Sequence, residues 1–130
     1  MTVLSPTGLD TTAAPERAAS AYPPTGPLVP VAGTRVHAHV EGDADAPAVI
    51  LIHGASGNSR DFSFDLTGRL ADRYRVIAFD RPGLGHTPAL HGRGESPFEQ
   101  AALLDAAAEA LGVERAVVVG HSFGGSVAMA

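Results

Sequence analysis

Three runs of consecutive apolar residues dominate the hydrophobic pattern of this sequence. They lie within residues 48–52, 75–79 and 116–119, and they do not alternate regularly with polar residues. Unbroken apolar runs are typical of parallel strands that are covered by helices on both faces. The pattern therefore predicts a central parallel sheet.

The pattern differs nearer the N-terminus, where residues 28–31 and 35–41 flank a turn at 32–34. In the second segment, His37 and His39 alternate with apolar residues, as in an edge strand with one face in solvent. We expect two antiparallel strands to open the sheet. Histidines two apart on a strand can bind a metal, but the sequence places no third ligand near them, so we predict that both face solvent.

Helical signals fill the segments between the apolar runs. Residues 59–74 predict a loop and a short amphipathic helix. Ser96 begins a capping box, with proline next and Glu99 at the third helical position, and Gly112 marks the stop. The resulting strand, helix and strand over residues 75–119 predict a crossover that makes the last strand parallel to the one before it. The predicted fold class is α/β, a partial doubly wound, mostly parallel sheet opened by an antiparallel hairpin.

Composition limits the functions that fit this chain. Its 130 residues with 45% hydrophobic content can form one compact domain. Cysteine is absent, which excludes disulfides, thiolate nucleophiles and zinc-thiolate sites. The net charge of -5 comes without a basic stripe, and this argues against nucleic acid as a partner.

Residues 1–27 are mostly small or polar and include several prolines, so we predict a flexible N-terminal tail followed by one domain over residues 28–130. A transit peptide is the alternative, but Asp10 and Glu16 with the single arginine Arg17 fit it poorly. No run of 18 apolar residues and no secretory signal are present. The sequence therefore predicts no membrane segment and, by default, a cytoplasmic location.

The candidate chemistry starts at the end of the last apolar run, where Gly120, Ser122 and Gly124 have the Gly-x-Ser-x-Gly spacing of a nucleophile elbow. In such an elbow a strand turns sharply into a helix, and glycines avoid collisions across the bend. The helix that follows directs unpaired N–H groups toward developing negative charge. The alternative is a glycine-rich turn in which the serine only caps that helix.

A second glycine-containing loop, with His53 and Gly54, follows residues 48–52. A tetrahedral oxyanion needs two hydrogen-bond donors about 3 Å away, and a loop beside the serine turn can supply one. We predict that the backbone N–H of Ala55 is this donor. The alternative is an ordinary glycine turn beside a packed His53.

The loop after residues 75–79 begins with Asp80 and continues to His86. The carboxyl edge of a parallel sheet is where ligands bind, so contact with substrate is one possibility for Asp80 or His86. We predict instead that Asp80 fixes the loop through a salt bridge or hydrogen bonds. Gly83 and Gly85 do not complete a dinucleotide-binding fingerprint, because Pro88 occupies the position of the third glycine.

These three ordered motifs, His53-Gly54, residues 80–85 and residues 120–125, together resemble the α/β-hydrolase superfamily over residues 28–130. The resemblance implies that Ser122 is the nucleophile and that Ala55 and Phe123 donate backbone N–H groups to an oxyanion hole. We predict no cofactor and no metal site. The residues implied to support the motifs are His53, Gly54, Gly120, His121 and Gly124, with His121 not acting as the base. Serine at the elbow is unlike the haloalkane dehalogenases and epoxide hydrolases of the superfamily.

The sequence departs from the family pattern after Ser122. The family order is serine, then aspartate or glutamate, then histidine, but residues 123–130 contain no acid and no histidine. A hydroxyl without a base is a poor nucleophile, so we expect this chain, truncated after the elbow, to be inactive. A separate hypothesis is that His86 substitutes for the missing base.

The leading interpretation is a serine hydrolase that acts on an ester or related acyl bond of a small molecule through an acyl-enzyme. One alternative is a nucleotide-binding α/β domain, although the sequence has no P-loop lysine. Another is a non-catalytic truncated interaction module. In that case the incomplete sheet would expose residues 117–119 and favour self-association.

Overall fold

The computed structural model describes residues 20–130, which form a mixed five-stranded sheet with packed helices. The strands are β1 (Leu28–Val31), β2 (Thr34–Glu41), β3 (Ala48–Ile52), β4 (Arg75–Phe79) and β5 (Ala116–Gly120). The helices are α1 (Arg60–Ser63), α2 (Leu66–Leu70), α3 (Pro97–Ala110) and α4 (Phe123–Met129). Residues 1–19 of the predicted tail lie outside the described residues.

The strand order is β1-β2-β4-β3-β5, in which β1 and β2 are antiparallel, β2 and β4 are antiparallel, and β3 is parallel to both β4 and β5. This confirms the predicted α/β sheet and its opening hairpin. It adds that β5 pairs with β3 rather than with β4. Ile52 lies opposite both Phe79 and Gly120, so the loops that follow these three strands begin at the same edge of the sheet.

Both faces of the central strands are buried, which explains their unbroken apolar runs. Alternate residues of β3 point to opposite faces. Ile50 and Ile52 join the cluster that includes Leu104 and Val127 of α3 and α4. Leu51 joins a smaller cluster with Phe62 of α1 on the other face. The helices therefore hold β3 and β4 rigidly behind the carboxyl edge of the sheet.

The cap predicted for α3 is present. Ser96 Oγ accepts a hydrogen bond of 3.1 Å from the backbone N–H of Glu99, and proline occupies the first turn. The Glu99 carboxylate accepts a hydrogen bond from His91 Nε2 at 2.7 Å. Gly112 adopts φ of 81°, the left-handed conformation that ends helices. The helix is thus fixed at both ends by local sequence.

Strand β5 lies at the edge of the sheet formed by residues 20–130 and is exposed, unlike the helix-covered central strand that its apolar run predicts. Val117 is 65% exposed, and Val118 and Val119 are each 43% exposed. Open edges with apolar side chains favour pairing with another chain. Self-association through this edge stays a prediction, and light scattering of the purified chain tests it.

The histidines of β2 differ from the prediction. His37 is only 2% exposed, and its Nδ1 bonds to Asp80 Oδ2 at 2.7 Å, so the expectation that it faces solvent is wrong. The reason is a cover over this face: the N–H of Thr25 donates to His37 Nε2 at 3.2 Å. His39 is half-buried, with its ring nitrogens bonded to Thr25 Oγ1 and Glu41.

Several backbone groups of residues 22–27 contact the sheet or α1. The N–H of Ala38 donates to the carbonyl of Pro27 at 3.0 Å, and Arg60 Nη2 donates to the carbonyl of Pro23 at 2.8 Å. The boundary of the flexible tail at Pro27 stays a prediction. Within residues 20–130, no helix has the length and apolar character needed to cross a membrane.

Candidate functional site

Ser122 occupies a strained turn between β5 and α4. Its backbone φ is 54° and its ψ is -122°, a conformation that costs a non-glycine residue about 1–3 kcal/mol. The residue is exposed, and its side chain makes no capping hydrogen bond to α4. The alternative that this serine serves as a helix cap is therefore wrong, and the hydroxyl is left accessible.

Glycines around this turn are required by close packing. A Cβ at Gly120 would overlap the backbone of Gly124, and a Cβ at Gly124 would overlap the carbonyl of Ile52. The N–H of His121 also donates to Ile52 O at 3.0 Å. The turn after β5 is thus pressed against the end of β3, which only small residues permit.

The loop after β3 lies directly beside Ser122. A Cβ added at Gly54 would lie 3.2 Å from the Cβ of Ser122 and 3.3 Å from Nδ1 and the carbonyl oxygen of His121. The two glycine motifs, which are about 70 residues apart in sequence, therefore meet at one point. The two motifs are therefore close enough to form one site.

Two backbone donors near this point are left without partners. Within residues 20–130, neither the N–H of Ala55 nor that of Phe123 makes a hydrogen bond to a protein acceptor. Ala55 is exposed, and Phe123 is the first residue of α4. Unpaired N–H groups beside an exposed hydroxyl are suited to stabilising negative charge on a bound oxygen.

His53 is fully buried and occupied by structural hydrogen bonds. Its Nδ1 bonds to the carbonyl of Gly54 at 2.9 Å, and its Nε2 accepts from the backbone N–H of Arg81 at 3.0 Å. These partners fix the neutral tautomer with the proton on Nδ1. Burial lowers the pKa of His53, although its hydrogen bond to Gly54 acts in the opposite direction. His53 therefore shapes the loop and has no free nitrogen to accept a proton.

Asp80 fixes the loop that follows β4, which confirms its predicted structural role. Its carboxylate accepts from the backbone N–H groups of Ser59 at 2.6 Å and His86 at 2.9 Å, and from His37 Nδ1 at 2.7 Å. Burial raises the pKa of Asp80, but the hydrogen bonds from His37, His86 and Ser59 outweigh it and lower the pKa to about 2. The carboxylate is therefore ionised and fully engaged.

This carboxylate also explains why the loop with Gly83 and Gly85 is unsuited to phosphate. Gly85 has φ of 55°, and a Cβ there would overlap the Asp80 side chain. The loop thus wraps around a negative charge and commits the His86 N–H to it. A phosphate at this place would meet a carboxylate rather than free donors.

Arg81 is the residue that the sequence analysis missed. It is 4% exposed, and its guanidinium donates to the carbonyls of His53 (Nε, 2.9 Å) and Gly54 (Nη2, 2.8 Å). Its Nη1 donates to Gln100 Oε1 in α3 at 2.9 Å. The guanidinium carbon lies 4.8 Å from the ring centroid of Phe123. The only advance signal was an arginine two residues after the end of a buried strand.

No base for Ser122 is found within residues 20–130. The serine hydroxyl makes no hydrogen bond to any of the described histidines. His86 Nε2 bonds to the carbonyl of Tyr22 at 2.9 Å, and its ring lies edge-on to His37 at 5.3 Å. The hypothesis that His86 supplies the base therefore has no support in these contacts. The same residues also contain no cluster of three or more potential metal-ligating side chains.

Comparisons with known proteins agree with this geometry. The family model described as the alpha/beta hydrolase family matches residues 49–130, which include both glycine motifs. The chain is 38% identical over 86 residues to the "Putative carbamate hydrolase RutD" of Escherichia coli O1:K1, covering 66% of this chain and 32% of that protein. The chain thus spans about a third of the length of the curated relatives it matches.

The chain is also similar to solved structures of several hydrolases. A membrane phospholipase A superposes with a TM-score of 0.72 at 28% identity, covering 76% of this chain and 32% of that chain. Est816, an N-acyl homoserine lactone degrading enzyme, gives 0.69 at 30% identity, covering 79% and 38%. A haloalkane dehalogenase variant from Bradyrhizobium elkanii gives 0.68 at 28% identity, covering 75% and 32%. The shared architecture thus accompanies several different hydrolytic reactions.

Proposed function

The chain belongs to the alpha/beta hydrolase family, and we propose that it carries the nucleophile of a serine hydrolase acting on an ester or related acyl bond. Ser122 is the proposed nucleophile, and the N–H groups of Ala55 and Phe123 are the proposed oxyanion donors. The observation that supports this assignment is the exposed serine on a strained turn beside two unpaired N–H groups.

In the proposed reaction, Ser122 Oγ attacks the carbonyl carbon of the substrate while its proton passes to a base. The carbonyl oxygen then carries negative charge, which the two N–H groups stabilise from about 3 Å. Collapse of this intermediate expels the leaving group and leaves an acyl-enzyme, which water hydrolyses. The strain at Ser122 supports this role because such strain is often stored where a functional side chain must be held outward.

The base is the part that the described residues, 20–130, do not provide. We place the histidine and its acidic partner in polypeptide outside this sequence, so we expect the 130-residue chain alone to be inactive. Without a base, a serine hydroxyl stays protonated and reacts poorly, and most of the chemical acceleration is lost.

Substrate class follows from serine chemistry rather than from any one relative. RutD is named a carbamate hydrolase and Est816 a lactone-degrading enzyme, and both names refer to substrates with a carbonyl carbon that a serine can attack. We therefore propose a small-molecule ester, lactone or carbamate as the substrate. The haloalkane relative acts on a different bond, and Ser122 here is unlike the elbow residue that the resemblance gives for such enzymes.

Covalent labelling tests the proposal. The full gene product that contains this sequence is treated with a fluorophosphonate, and the modified peptide is mapped by mass spectrometry. We expect the label on Ser122, and we expect Ser122→Ala to abolish it. Ser126→Ala is the matched control, because Ser126 lies one turn further along α4 and should label normally when mutated.

The 130-residue chain, treated in parallel, should label at least 100-fold more slowly because no base contacts its serine. Label on a different serine, or label that persists in Ser122→Ala, would contradict the proposal. So would the absence of label in the full gene product.

A further inference from the structure

The peptide unit between Gly54 and Ala55 holds one of the proposed oxyanion donors on one side and a heavily bonded carbonyl on the other. We propose that Arg81 is a positioning residue that aims the Ala55 N–H at the reacting oxygen by holding the Gly54 carbonyl. The inference rests on the proposed function. In this role the buried arginine acts through the Gly54 carbonyl and does not contact the substrate.

The geometry of a trans peptide links the two groups. The C=O and N–H of one peptide unit are coplanar and point in opposite directions, so fixing the oxygen also fixes the hydrogen. All peptide bonds of residues 20–130 are trans. If this unit rotated by half a turn, it would present an oxygen to the developing oxyanion instead of a donor. Catalysis therefore depends on preventing that rotation.

Three donors converge on the Gly54 carbonyl. They are Arg81 Nη2 at 2.8 Å, His53 Nδ1 at 2.9 Å and the N–H of Gly57 at 3.2 Å. A carbonyl oxygen has two lone pairs, so three donors saturate it. Arg81 is the charged member of the set, and charge-assisted bonds are about twice as strong as neutral ones. Rotating the peptide would break all three bonds.

Arg81 is itself held from several directions. Its Nε bonds to the carbonyl of His53, its own backbone N–H bonds to His53 Nε2, and its Nη1 reaches Gln100 in α3. The side chain is 4% exposed, which leaves little room for water to replace these contacts. The Arg81 guanidinium thus connects the loop after β3 to β4 and α3 and restricts its movement.

The same guanidinium also contacts the second proposed donor residue. It lies over the ring of Phe123 at 4.8 Å, within the range of cation–π contacts. One side chain therefore touches the loop of Ala55 and the residue that carries the other N–H. The guanidinium thus connects the two residues whose N–H groups are the proposed donors.

The test compares Arg81→Lys with Arg60→Lys in the full gene product. Lysine keeps the charge but lacks the planar fork that serves two carbonyls at once. Arg60 is the matched control, because its Nη2 also donates to a carbonyl (Pro23, 2.8 Å) and its guanidinium also stacks on a ring (Tyr22, 5.5 Å). We expect Arg81→Lys to lower kcat for an ester about 10- to 100-fold, with KM changed less than about threefold, and Arg60→Lys to leave both constants unchanged.

A second readout follows the amide directly. In ¹⁵N-labelled protein, Arg81→Lys should shift and broaden the Ala55 amide signal through exchange between peptide orientations, while Arg60→Lys should not. Added guanidinium should partly restore kcat in Arg81→Ala, because a small cation can occupy the vacated fork. If Arg81→Lys fails to fold, Gln100→Met loosens the same guanidinium and should lower kcat about threefold.

The outcomes separate the two proposals. An Arg81→Lys protein with native kcat and an unchanged Ala55 signal would overturn the positioning role even if Ser122 is labelled. Absence of labelling at Ser122 in the native protein would overturn the proposed function. In that case the Ala55 signal still decides whether Arg81 orients the peptide.

Discussion

Asp80 and Arg81 are neighbours in sequence, carry opposite charges and are both almost fully buried, yet each satisfies its charge through a different part of the fold. Asp80 accepts from the ring of His37 and from two backbone N–H groups. Arg81 donates to two backbone carbonyls and to Gln100. The carboxylate accepts hydrogen bonds from its own loop, whereas the guanidinium donates to carbonyls and, in the role proposed for it, orients the N–H of the adjacent peptide.

Two adjacent residues after the same strand therefore have opposite effects on the backbone around them. N–H groups bound to Asp80 are consumed and cannot bind a ligand. Carbonyls bound to Arg81 leave the N–H of the same peptide free, because the two groups point in opposite directions. An acidic residue in place of Arg81 would therefore be expected to bind nearby N–H groups itself and leave them unavailable to a ligand.

The largest effect is expected from Asp80→Ala. This change leaves the buried N–H of Ser59, the half-buried N–H of His86 and the His37 ring without an acceptor, so we expect the free energy of unfolding to fall by about 3–5 kcal/mol. Urea denaturation measures it. Asp65→Ala is the control, because the Asp65–Arg69 pair is largely exposed and screened by solvent, so its loss should leave the urea midpoint nearly unchanged.

Arg81→Met provides the other half of the contrast and should cost about 2 kcal/mol. The Gly54 carbonyl keeps its bonds from His53 and Gly57, and an under-satisfied carbonyl is tolerated better than an orphaned N–H. A loss in Arg81→Met as large as that in Asp80→Ala would contradict this reasoning.

Gly85→Ala should lose about 2–3 kcal/mol, an effect between those of Asp80→Ala and Arg81→Met. The residue has φ of 55°, and a Cβ would overlap the Asp80 carboxylate, so strain and collision add. Gly94→Ala separates the two terms. Gly94 has φ of 77° but no atom within 4 Å of an added Cβ, so it should lose only about 1 kcal/mol. Equal losses in thermal or urea unfolding would show that the Asp80 contact adds nothing.

Much of this architecture could be predicted from local pattern. The apolar runs gave the bounds of β3 and β4 because both faces of these strands are buried. The capping residues gave the start of α3. Gly120 and Gly124 predicted the tight turn, because their packing against nearby backbone leaves no space for a side chain.

The remainder depended on contacts between distant segments. The alternation in β2 predicted a solvent-facing His37, but residues 22–27 and the loop after β4 cover it. The role of Arg81 was hidden because its partners lie 19 to 28 residues away and their meeting depends on the order of strands. The sequence predicted that β5 runs parallel to β4, which is the case, but it did not predict that β3 lies between them.

A pH titration should reproduce the Asp80 contribution. Because its folded pKa is about 2 and the ordinary value is 3.8, its stabilisation is complete above pH 4 and is lost as pH falls toward 2. The loss should be about 2 kcal/mol in urea midpoints measured at successive pH values. Asp80→Asn should lack this step.

His53 should add a second loss of stability on acidification, which begins at a higher pH than the loss due to Asp80. Burial lowers its pKa, so the unfolded chain takes up a proton before the folded one does, and stability falls as pH drops below 6.5. A stability curve that rises on acidification through this range would contradict the buried, neutral His53.

The smallest effect is expected from Gln100→Met, which removes only the outermost support of Arg81. Gln100 Oε1 accepts from Arg81 Nη1 at 2.9 Å, and its Nε2 donates to the carbonyl of Glu95 at 3.0 Å. Methionine has a similar volume, so packing is kept while about 1 kcal/mol of hydrogen bonding is lost. Arg81 keeps its bonds to both loop carbonyls, and the unfolding midpoint should therefore shift less than in Arg81→Met. A larger shift would mean that α3, rather than the loop after β3, is the main anchor of the guanidinium.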